Sequence, residues 1–396
     1  MKYVVLVPDG AADYPIDELN GKTPLEAART PNMDRLAAEG ISGLVQVIPP
    51  IRHPGSDVGN LELFGYDSCR HYSGRAPLEA ASMGVALGDT DIAFRCNLIT
   101  REGDTLVDYS AGHISTEEAG ELIEHIAGKL QNELIKFYPG VGYRHLMVYA
   151  DGPSQLDSFP PHDIMGKSIT AHLPRGDQQN VIRQIMVDAE PLLVDTEVNK
   201  KRKKEGKSPA NAIWLWGSGR ALQLQSILSK YGVTGGVISA VDLVRGIGVS
   251  AGLKVIDVPG ITGYLDTNYA GKADAALRVL QNDDFVYVHV EAPDEAGHNA
   301  DVEGKKRALE DFDEKIVGRI IAGLSNLDEP VRVLMAPDHR TPIVLRTHSR
   351  EPVPFVLWGK DIEADTVLSY SEAAAESGST VVEKGHQLMD LLMASK

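Results

Sequence analysis

Six acidic and imidazole side chains follow three strand-like segments of the sequence and could bind divalent metal ions. They are Asp9, Asp294, His298, Asp338, His339 and His348. Carboxylate oxygens combined with imidazole nitrogens suit ions such as Mn²⁺ or Zn²⁺. Ligands of open α/β sheets bind beyond the carboxyl ends of the strands, so the three segments predict one common site. Each group taken singly also fits a turn, a cap or a solvated helix start.

A serine in the segment HPGSDVGN, Ser56, could act at that site as a nucleophile. Its residue type alone is typical of a helix N-cap after a Pro-Gly turn. A hydroxyl is a weak nucleophile, and coordination to a metal ion is one way to activate it. Two ions together would also stabilise the attacking and leaving oxygens of an in-line phosphoryl transfer. We therefore expect Ser56 to be the nucleophile of a two-metal site.

Local spacing supports the metal-binding interpretation of two pairs. If Pro293 opens a helix, Asp294 and His298 lie four residues apart on one face of it. Asp338 and His339 are adjacent at the end of an apolar run. Burial there would carry a desolvation penalty unless both side chains formed hydrogen bonds, ion pairs or metal contacts.

The elements that must position these groups alternate between apolar strands and amphipathic helices. Predicted strands are residues 3–7, 213–217, 237–241, 285–290, 332–337 and 354–359. Helical patterns occur in TPLEAARTPNMDRLAAEG, RALQLQSILSKYG and KADAALRVLQ. This alternation indicates an α/β fold with a largely parallel sheet.

The middle of the chain has a different pattern, with strand-like pieces, polar loops and one clear helix around residues 116–130. We interpret residues 1–100 and 205–396 as a discontinuous metal-binding core domain. Residues 101–204 would form a smaller inserted α+β domain that binds substrate or acts as a lid. Six Lys and Arg residues in 200–207 predict a solvated linker back to the core. The alternative is a basic rim that attracts anionic substrates.

Length and composition narrow the class of protein. The 396 residues favour two domains, and a net charge of -17 disfavours nucleic acids and anionic membranes as partners. Two cysteines, Cys69 and Cys96, indicate neither a disulfide framework nor a cysteine zinc site. The first apolar run is too short for a signal peptide or a membrane span, so we expect a cytoplasmic location. The oligomeric state is left open.

The order of Asp9, the GSDVGN loop, APDEAGH and the DH and THS segments resembles the alkaline-phosphatase superfamily. The similarity is greatest to its archaeal-type branch of cofactor-independent (2,3-bisphosphoglycerate-independent) phosphoglycerate mutases. It covers nearly the whole chain, including GRAPLEAASMG and VPGITGYLDTNYAGKA. The resemblance implies an alkaline-phosphatase-like core, with a mostly parallel sheet flanked by helices, plus the inserted domain.

The same resemblance implies a metal-dependent mutase with two divalent ions, Mn²⁺ foremost, with Zn²⁺, Mg²⁺ or Co²⁺ as alternatives. One ion would be bound by Asp294, His298 and His348, and the other by Asp9, Ser56, Asp338 and His339. The phosphoryl group of 3-phosphoglycerate, a small phosphorylated metabolite of glycolysis and gluconeogenesis, would pass to Ser56 and return to the 2-hydroxyl. A lid would keep the phosphoserine from water.

Two departures from the family pattern leave the substrate open. SAGHI carries His113 where the family has arginine, and PPHDIMGK replaces a DTDP-like segment. A sister group with these features has been proposed as homoserine kinase. That activity, or another small-molecule phosphotransferase or phosphatase, is therefore the alternative function. The sequence lacks a Walker-type phosphate-binding motif, which disfavours a P-loop kinase. A non-catalytic, metal-stabilised binding protein would have no need for the serine.

Candidate substrate-binding residues share charge or imidazole chemistry and lie in or near the predicted insert. They are Arg75, Arg95, His113, Arg144, His145, His162, Asp163 and Lys167. Arginine binds phosphate and carboxylate oxygens in bidentate fashion, although salt bridges and solvated loops would explain the same residues. For Lys272 we expect a surface position rather than a phosphate contact.

Overall fold

The computed structural model describes residues 1–153, 156–378 and 380–394, and the chain forms two compact units. The first comprises Met1–Tyr72 and Gln223–Lys396, and the second comprises Ser73–Leu222. Within the described ranges, no helix is both long and apolar enough to cross a lipid bilayer.

The strands are listed here in chain order, because the site lies at their ends. They are β1 (Lys2–Pro8), β2 (Ile41–Val45), β3 (Ile92–Glu102), β4 (Thr105–Asp108), β5 (Ile135–Val141), β6 (Arg144–Tyr149), β7 (Leu156–Asp157), β8 (Arg175–Gly176), β9 (Ala212–Gly219), β10 (Gly235–Ile238), β11 (Lys254–Val255), β12 (Phe285–Val290), β13 (Val331–Met335), β14 (Val353–Gly359) and β15 (Thr380–Val382).

The helices vary from single turns to sixteen residues. They are α1 (Pro24–Ala27), α2 (Pro31–Glu39), α3 (Ser56–Leu63), α4 (Ser68–His71), α5 (Ala76–Ser82), α6 (Thr116–Leu130), α7 (Gln179–Val194), α8 (Glu197–Lys204), α9 (Ile227–Tyr231), α10 (Asp242–Ser250), α11 (Tyr269–Leu280), α12 (Ala292–His298), α13 (Val302–Phe312), α14 (Arg319–Leu324), α15 (Glu372–Glu376) and α16 (Gln387–Met393). A π-helical segment, Asp313–Gly318, links α13 to α14.

The sheet of the first unit has the order β11-β10-β12-β1-β13-β14-β2-β15. Its neighbours from β11 to β13 are parallel, β14 is antiparallel to both β13 and β2, and β15 is parallel to β2. Every residue of β12 is buried, as expected for a strand covered on both faces. Helices supply that cover through residues such as Leu36, Ala276 and Phe312. The predicted α/β fold with a mostly parallel sheet is confirmed.

The second unit is built on an antiparallel sheet of order β4-β3-β6-β5, with β9 paired to β3. Apolar faces of α6 and α7, including Ile123 and Ile182, pack with Trp214 of β9 in one core. The predicted helix at 116–130 is confirmed as α6. Its N-cap, Ser115, accepts a hydrogen bond from the Glu118 N–H.

The bounds of the two units differ from those of the predicted domains 1–100 with 205–396, and 101–204. Strand β3 continues across the predicted boundary at residue 100, and its partner β9 was expected in the parallel sheet. Both strands lie in the second unit, where the β3–β9 ladder joins them in one antiparallel sheet. A substrate-binding or lid role for residues 101–204 stays a prediction.

The basic stretch expected to be a linker is a helix, so that interpretation was wrong. Thr196 caps α8 by accepting a hydrogen bond from the Asn199 N–H. Arg202 is buried, and its guanidinium donates to Glu118 Oε2 at 2.5 Å and to Ala111 O at 2.6 Å. Lysine and arginine have good helix propensity, and burying one of them anchors the segment.

Candidate active site

The ends of β1 and β13 bring Asp9, Asp338 and His339 together. These strands are parallel neighbours, so the residues that follow them leave the sheet at the same edge. Both carboxylates are fully buried, and His339 Nε2 lies 3.4 Å from Asp9 Oδ1 and 3.6 Å from Asp338 Oδ2. The predicted proximity of these three groups is present in the first unit.

Ser56 is the first residue of α3, and its side chain faces this cluster. Its Oγ lies 3.2 Å from His339 Nε2 and 3.4 Å from Asp9 Oδ2. Gly55 is the N-cap of α3, so the interpretation of Ser56 as the capping residue was wrong. The helix N-terminus favours negative charge at this position.

Helix α12 and the loop after β13 form the second cluster. Pro293 lies in the first turn of α12, as predicted, and Asp294 Oδ2 is 3.2 Å from His298 Nε2. His348 Nε2 lies 3.5 Å from Asp294 Oδ1 and 2.9 Å from His298 Nε2. The structure thus gathers the three side chains predicted to bind one ion.

The hydrogen-bond partners of the two histidines leave their Nε2 atoms as the ring nitrogens available to a metal ion. His298 Nδ1 lies 3.0 Å from Arg346 O, and His348 Nδ1 lies 3.4 Å from Pro54 O. A carbonyl oxygen only accepts, so each Nδ1 carries a hydrogen, and each ring in its neutral form can offer the Nε2 lone pair to a metal ion. Two lone pairs at 2.9 Å repel each other unless a proton or a metal ion lies between them. Although burial opposes it, the hydrogen bond to Asp294 raises the pKa of His298 to about 9, so a metal ion at this position would displace that proton. The residues therefore fit a divalent metal ion.

Charge repulsion among buried carboxylates gives a second indication of bound cations. Burial, followed by the negative charges of Asp338 and Asp294, raises the pKa of Asp9 well above its usual value. Burial alone would also raise the pKa of Asp294, but contacts with His298 and His348 hold it well below the usual range. A divalent cation would offset the repulsion and keep all three carboxylates ionised.

Asn60 supports both the nucleophile and a carboxylate, and the sequence analysis missed it. Its Nδ2 donates to Asp338 Oδ2 at 2.7 Å and to Ser56 O at 2.9 Å. Its Oδ1 accepts a hydrogen bond from the Tyr287 hydroxyl at 2.7 Å. The available signal was its spacing, four residues after Ser56 on the same helix face.

A buried histidine and a buried lysine behind Asp9 were also missed. His289, inside β12, has Nε2 3.0 Å from Asp9 Oδ2, and burial lowers its pKa to about 4. Lys272 is fully buried and donates from Nζ to His289 O at 2.8 Å, so the expectation of a surface lysine was wrong. Burial lowers the pKa of Lys272 to about 8. Its position on the apolar face of α11 was the overlooked signal.

In the second unit, Arg95 is a buried member of the predicted substrate-binding arginines. Its Nη2 lies 3.0 Å from Glu79 Oε1, and its guanidinium carbon lies 4.3 Å from the ring centre of Trp216. Burial lowers the pKa of Arg95, and the negative charge of Glu79 partly offsets this effect. The positive charges of Arg75 and Arg144 lower the pKa further. A Cβ built on Gly217 would lie 3.5 Å from Arg95 Cδ and 3.7 Å from Arg75 Cβ, and the register of β3 with β6 places Arg144 on the same sheet face as Arg95. Arg75, Arg95 and Arg144 therefore form one basic cluster.

His162 lies against the same aromatic surface. Its ring centre is 5.8 Å from that of Trp216 and 6.0 Å from that of Tyr109. Asp163 is exposed in the 3-10 helical turn Pro161–Ile164, which also contains His162. Lys167 is exposed just after this turn and donates from Nζ to Asp163 O at 2.8 Å.

His145 and His113 have other surroundings. His145 follows Arg144 in β6 and faces the opposite side of the sheet, because side chains alternate along a strand. It is buried, its Nδ1 accepts from the Gly140 N–H at 2.9 Å, and burial lowers its pKa to about 3. His113 is exposed in a left-handed conformation with φ of 48°. These surroundings favour a structural contribution for His145.

Relatives of this chain share its full length. A family model described as 2,3-bisphosphoglycerate-independent phosphoglycerate mutase matches residues 37–199. A mutase of that name from Methanosarcina mazei is 50% identical and covers 100% of both chains. One from Methanothermobacter thermautotrophicus is 49% identical, covering 99% of this chain and 97% of the relative.

Two solved structures are also similar. A Pyrococcus horikoshii protein has a TM-score of 0.85 and 30% identity, covering 100% of this chain and 98% of the other. A cofactor-independent phosphoglycerate mutase from Thermoplasma acidophilum has a TM-score of 0.66 and 26% identity, with 99% coverage of both chains.

The fold and the acidic and histidine clusters are those of an α/β enzyme that uses divalent metal ions. Within that class, sequence identities of 50% and 49% to full-length relatives assign the family. The chain belongs to the 2,3-bisphosphoglycerate-independent phosphoglycerate mutases.

Proposed function

We propose that this protein interconverts 3-phosphoglycerate and 2-phosphoglycerate through a phosphoserine on Ser56, without added 2,3-bisphosphoglycerate. The observation that carries the proposal is the position of Ser56 Oγ, 3.2 Å from His339 Nε2 and 3.4 Å from Asp9 Oδ2. Full-length relatives that bear the mutase name support the choice of reaction. We also propose a cytoplasmic location and no nucleic-acid partner.

Two divalent ions, Mn²⁺ by preference, are proposed as cofactors. Asp294, His298 and His348 would hold one of them. Asp9, Asp338 and His339, with Ser56, would hold the other. When bound, such ions supply positive charge that favours the serine alkoxide and offsets charge on the phosphoryl oxygens.

The reaction consists of two displacements at phosphorus. In the first, a bond forms between Ser56 Oγ and phosphorus while the bond from phosphorus to the 3-oxygen breaks, and that oxygen gains a proton. In the second, the 2-hydroxyl loses its proton and attacks phosphorus, and the bond to Ser56 Oγ breaks. The serine proton lost in the first step is regained in the second, so the isomerisation consumes no proton overall. Asn60 holds the Ser56 carbonyl and Asp338 in fixed positions throughout.

The basic cluster of the second unit is proposed to bind the anionic groups of the substrate. Arginine matches carboxylate and phosphate oxygens in bidentate geometry, and Glu79 and Trp216 hold Arg95 in one orientation. His162 lies against the same tryptophan. We propose direct substrate contacts for Arg75, Arg144, His113, Asp163 and Lys167 as well, and assign His145 an indirect role from within the sheet.

The test is a mutase assay of the purified protein with Mn²⁺ and 3-phosphoglycerate, followed by ³¹P NMR. We expect conversion to 2-phosphoglycerate, which chelation of the metal abolishes. Ser56→Ala should lose turnover while it retains most of the bound metal, because the remaining six side chains are unchanged. A parallel sample with ATP and homoserine should form no phosphohomoserine. Homoserine phosphorylation without mutase activity, or full activity of Ser56→Ala, would contradict the proposal.

A further inference from the structure

Thr341 links the two metal-binding clusters through its side chain. Its hydroxyl donates a hydrogen bond to Asp294 Oδ1, and its Oγ1 lies 3.2 Å from His339 Nδ1. Asp294 belongs to one proposed ion site and His339 to the other. Thr341 is itself fully buried, three residues after Asp338. A single hydroxyl therefore contacts a ligand of each site.

The chemistry of a hydroxyl group decides the direction of both hydrogen bonds. A carboxylate oxygen only accepts, so the single hydroxyl proton of Thr341 points to Asp294. The lone pairs of Oγ1 then face His339, whose Nδ1 must carry a hydrogen and donate it. His339 Nε2 consequently presents a lone pair towards Ser56 Oγ, which lies 3.2 Å away.

Thr341 is held rigidly by groups outside the two clusters. Its N–H donates to Ala12 O at 3.2 Å, and its carbonyl accepts from Lys305 Nζ at 2.8 Å. Lys305 is buried and also donates to Asp13 Oδ2 at 2.7 Å. This network fixes the backbone of Thr341 against the loop that follows β1.

Close packing leaves the Thr341 side chain little freedom to move. A Cβ placed on Gly10 would lie 2.4 Å from Thr341 Oγ1, and one on Gly297 would lie 2.6 Å from Thr341 O. Gly10 follows Asp9, and Gly297 precedes His298, so both glycines lie beside proposed ligands. Thr341 thus contacts the segments after β1, after β13 and within α12 that supply the ligands.

We propose that Thr341 is a positioning residue that selects the Nδ1–H tautomer of His339 and orients Asp294, so that both ion sites depend on its hydroxyl. Partners of this kind that orient metal ligands typically affect metal affinity by about 10- to 100-fold when they are removed. The inference rests on the proposed metal centre and is independent of the substrate.

The first experiment measures Mn²⁺ binding by calorimetry together with metal content after dialysis. Thr341→Val keeps the shape of the side chain and removes the hydroxyl, so we expect Kd to rise by about 10- to 100-fold. Thr341→Ser restores the hydroxyl and should bind Mn²⁺ with nearly the affinity of the unsubstituted protein. Thr30→Val is the control for replacing a buried threonine, because the Thr30 side chain makes no capping hydrogen bond to α2. The Thr30→Val variant should bind Mn²⁺ with the affinity of the unsubstituted protein.

The second experiment needs no Thr341 variant and holds even if Thr341→Val fails to fold. Long-range ¹H–¹⁵N NMR of the full chain, metal-free and zinc-loaded, with ¹⁵N-labelled histidine, should show His339 protonated at Nδ1 in both forms. Protonation at Nε2, or unchanged Mn²⁺ affinity in folded Thr341→Val, would overturn the inference. If both ions bind as expected but mutase activity is absent, only the proposed function fails.

Discussion

At the scale of single residues, the same side-chain type has different roles according to its neighbours. Ser56 had the residue type of a helix cap, yet Gly55 takes that place and the Ser56 hydroxyl faces His339 and Asp9. His145, predicted to bind substrate, lies in the interior of its sheet with its Nδ1 bonded to the Gly140 N–H. The difference in burial therefore distinguishes Ser56, the candidate nucleophile, from His145, the structural histidine.

The burial of His145 predicts a specific dependence of stability on pH. Its folded pKa of about 3 lies below the unfolded value of 6.5, so the unfolded state takes up a proton first as the pH falls. The contribution of neutral His145 to the free energy of unfolding is fully present above pH 6.5 and is lost progressively as the pH falls towards 3. Between pH 7 and pH 5 we expect a loss of about 2 kcal/mol in the free energy of unfolding from this residue.

The variant His145→Asn keeps an acceptor for the Gly140 N–H and removes the titration. Urea unfolding measures how much the free energy of unfolding falls between pH 7 and pH 5. This fall should be about 2 kcal/mol smaller in the variant than in the unsubstituted protein. His125, exposed on α6, provides the matched control, since His125→Asn should leave the pH dependence unchanged. Equal pH dependence in all three proteins would contradict the assignment.

At the scale of elements, the turn after β1 determines how closely the segments that carry Asp294 and Asp338 approach Gly10. Gly10 has φ of +59°, and a Cβ there would lie 2.6 Å from Asp294 Oδ1. The Gly10 N–H also donates to Asp338 Oδ1 at 3.2 Å. A residue without a side chain is needed at this point because backbone and carboxylates occupy the surrounding space.

Comparison of two glycine variants tests this requirement. Gly21 has φ of +76° but no atom within 4 Å of a built Cβ, so Gly21→Ala should cost only the left-handed strain of about 1–2 kcal/mol. Gly10→Ala carries the same strain and also displaces Asp294 and Thr341. We expect it to lose more stability in urea unfolding and to weaken Mn²⁺ binding in calorimetry. Equal stability losses with normal Mn²⁺ affinity in both variants would contradict the packing argument.

At the scale of the whole molecule, the proposed ions bind only side chains of the first unit. All seven proposed ligands lie within Met1–Tyr72 and Gln223–Lys396, whereas Ser73–Leu222 has its own sheet and core. A ligand that binds only the folded state stabilises it by mass action. Metal binding should therefore stabilise the two units unequally.

Hydrogen exchange with and without Mn²⁺ measures this asymmetry. Mn²⁺ at about a thousandfold its Kd should stabilise the first unit by about 4 kcal/mol per site and slow exchange in the segments around β1, α3 and α12. Amides of α6 and β5 in the second unit should exchange at nearly the same rate in both samples. Uniform protection of both units, or no protection of the first, would be inconsistent with the proposed ligand set.

The sequence alone determined the features that depend on local pattern. Apolar runs and turn residues indicated β1, β12 and β13, and the spacing of Asp294 and His298 indicated a shared helix face. The α/β class and the helix α6 followed from the same periodicity. These features could be predicted because side-chain direction repeats with a period fixed by the backbone.

Only the tertiary structure decided which distant residues share an environment. Strand β9 pairs with β3 in the second unit, and Lys272 is buried behind His289 rather than exposed. Thr341 contacts Asp294 and His339 although neither local spacing nor residue type indicates it. Such contacts depend on strand order, register and close packing between different segments of the chain, which local periodicity does not encode.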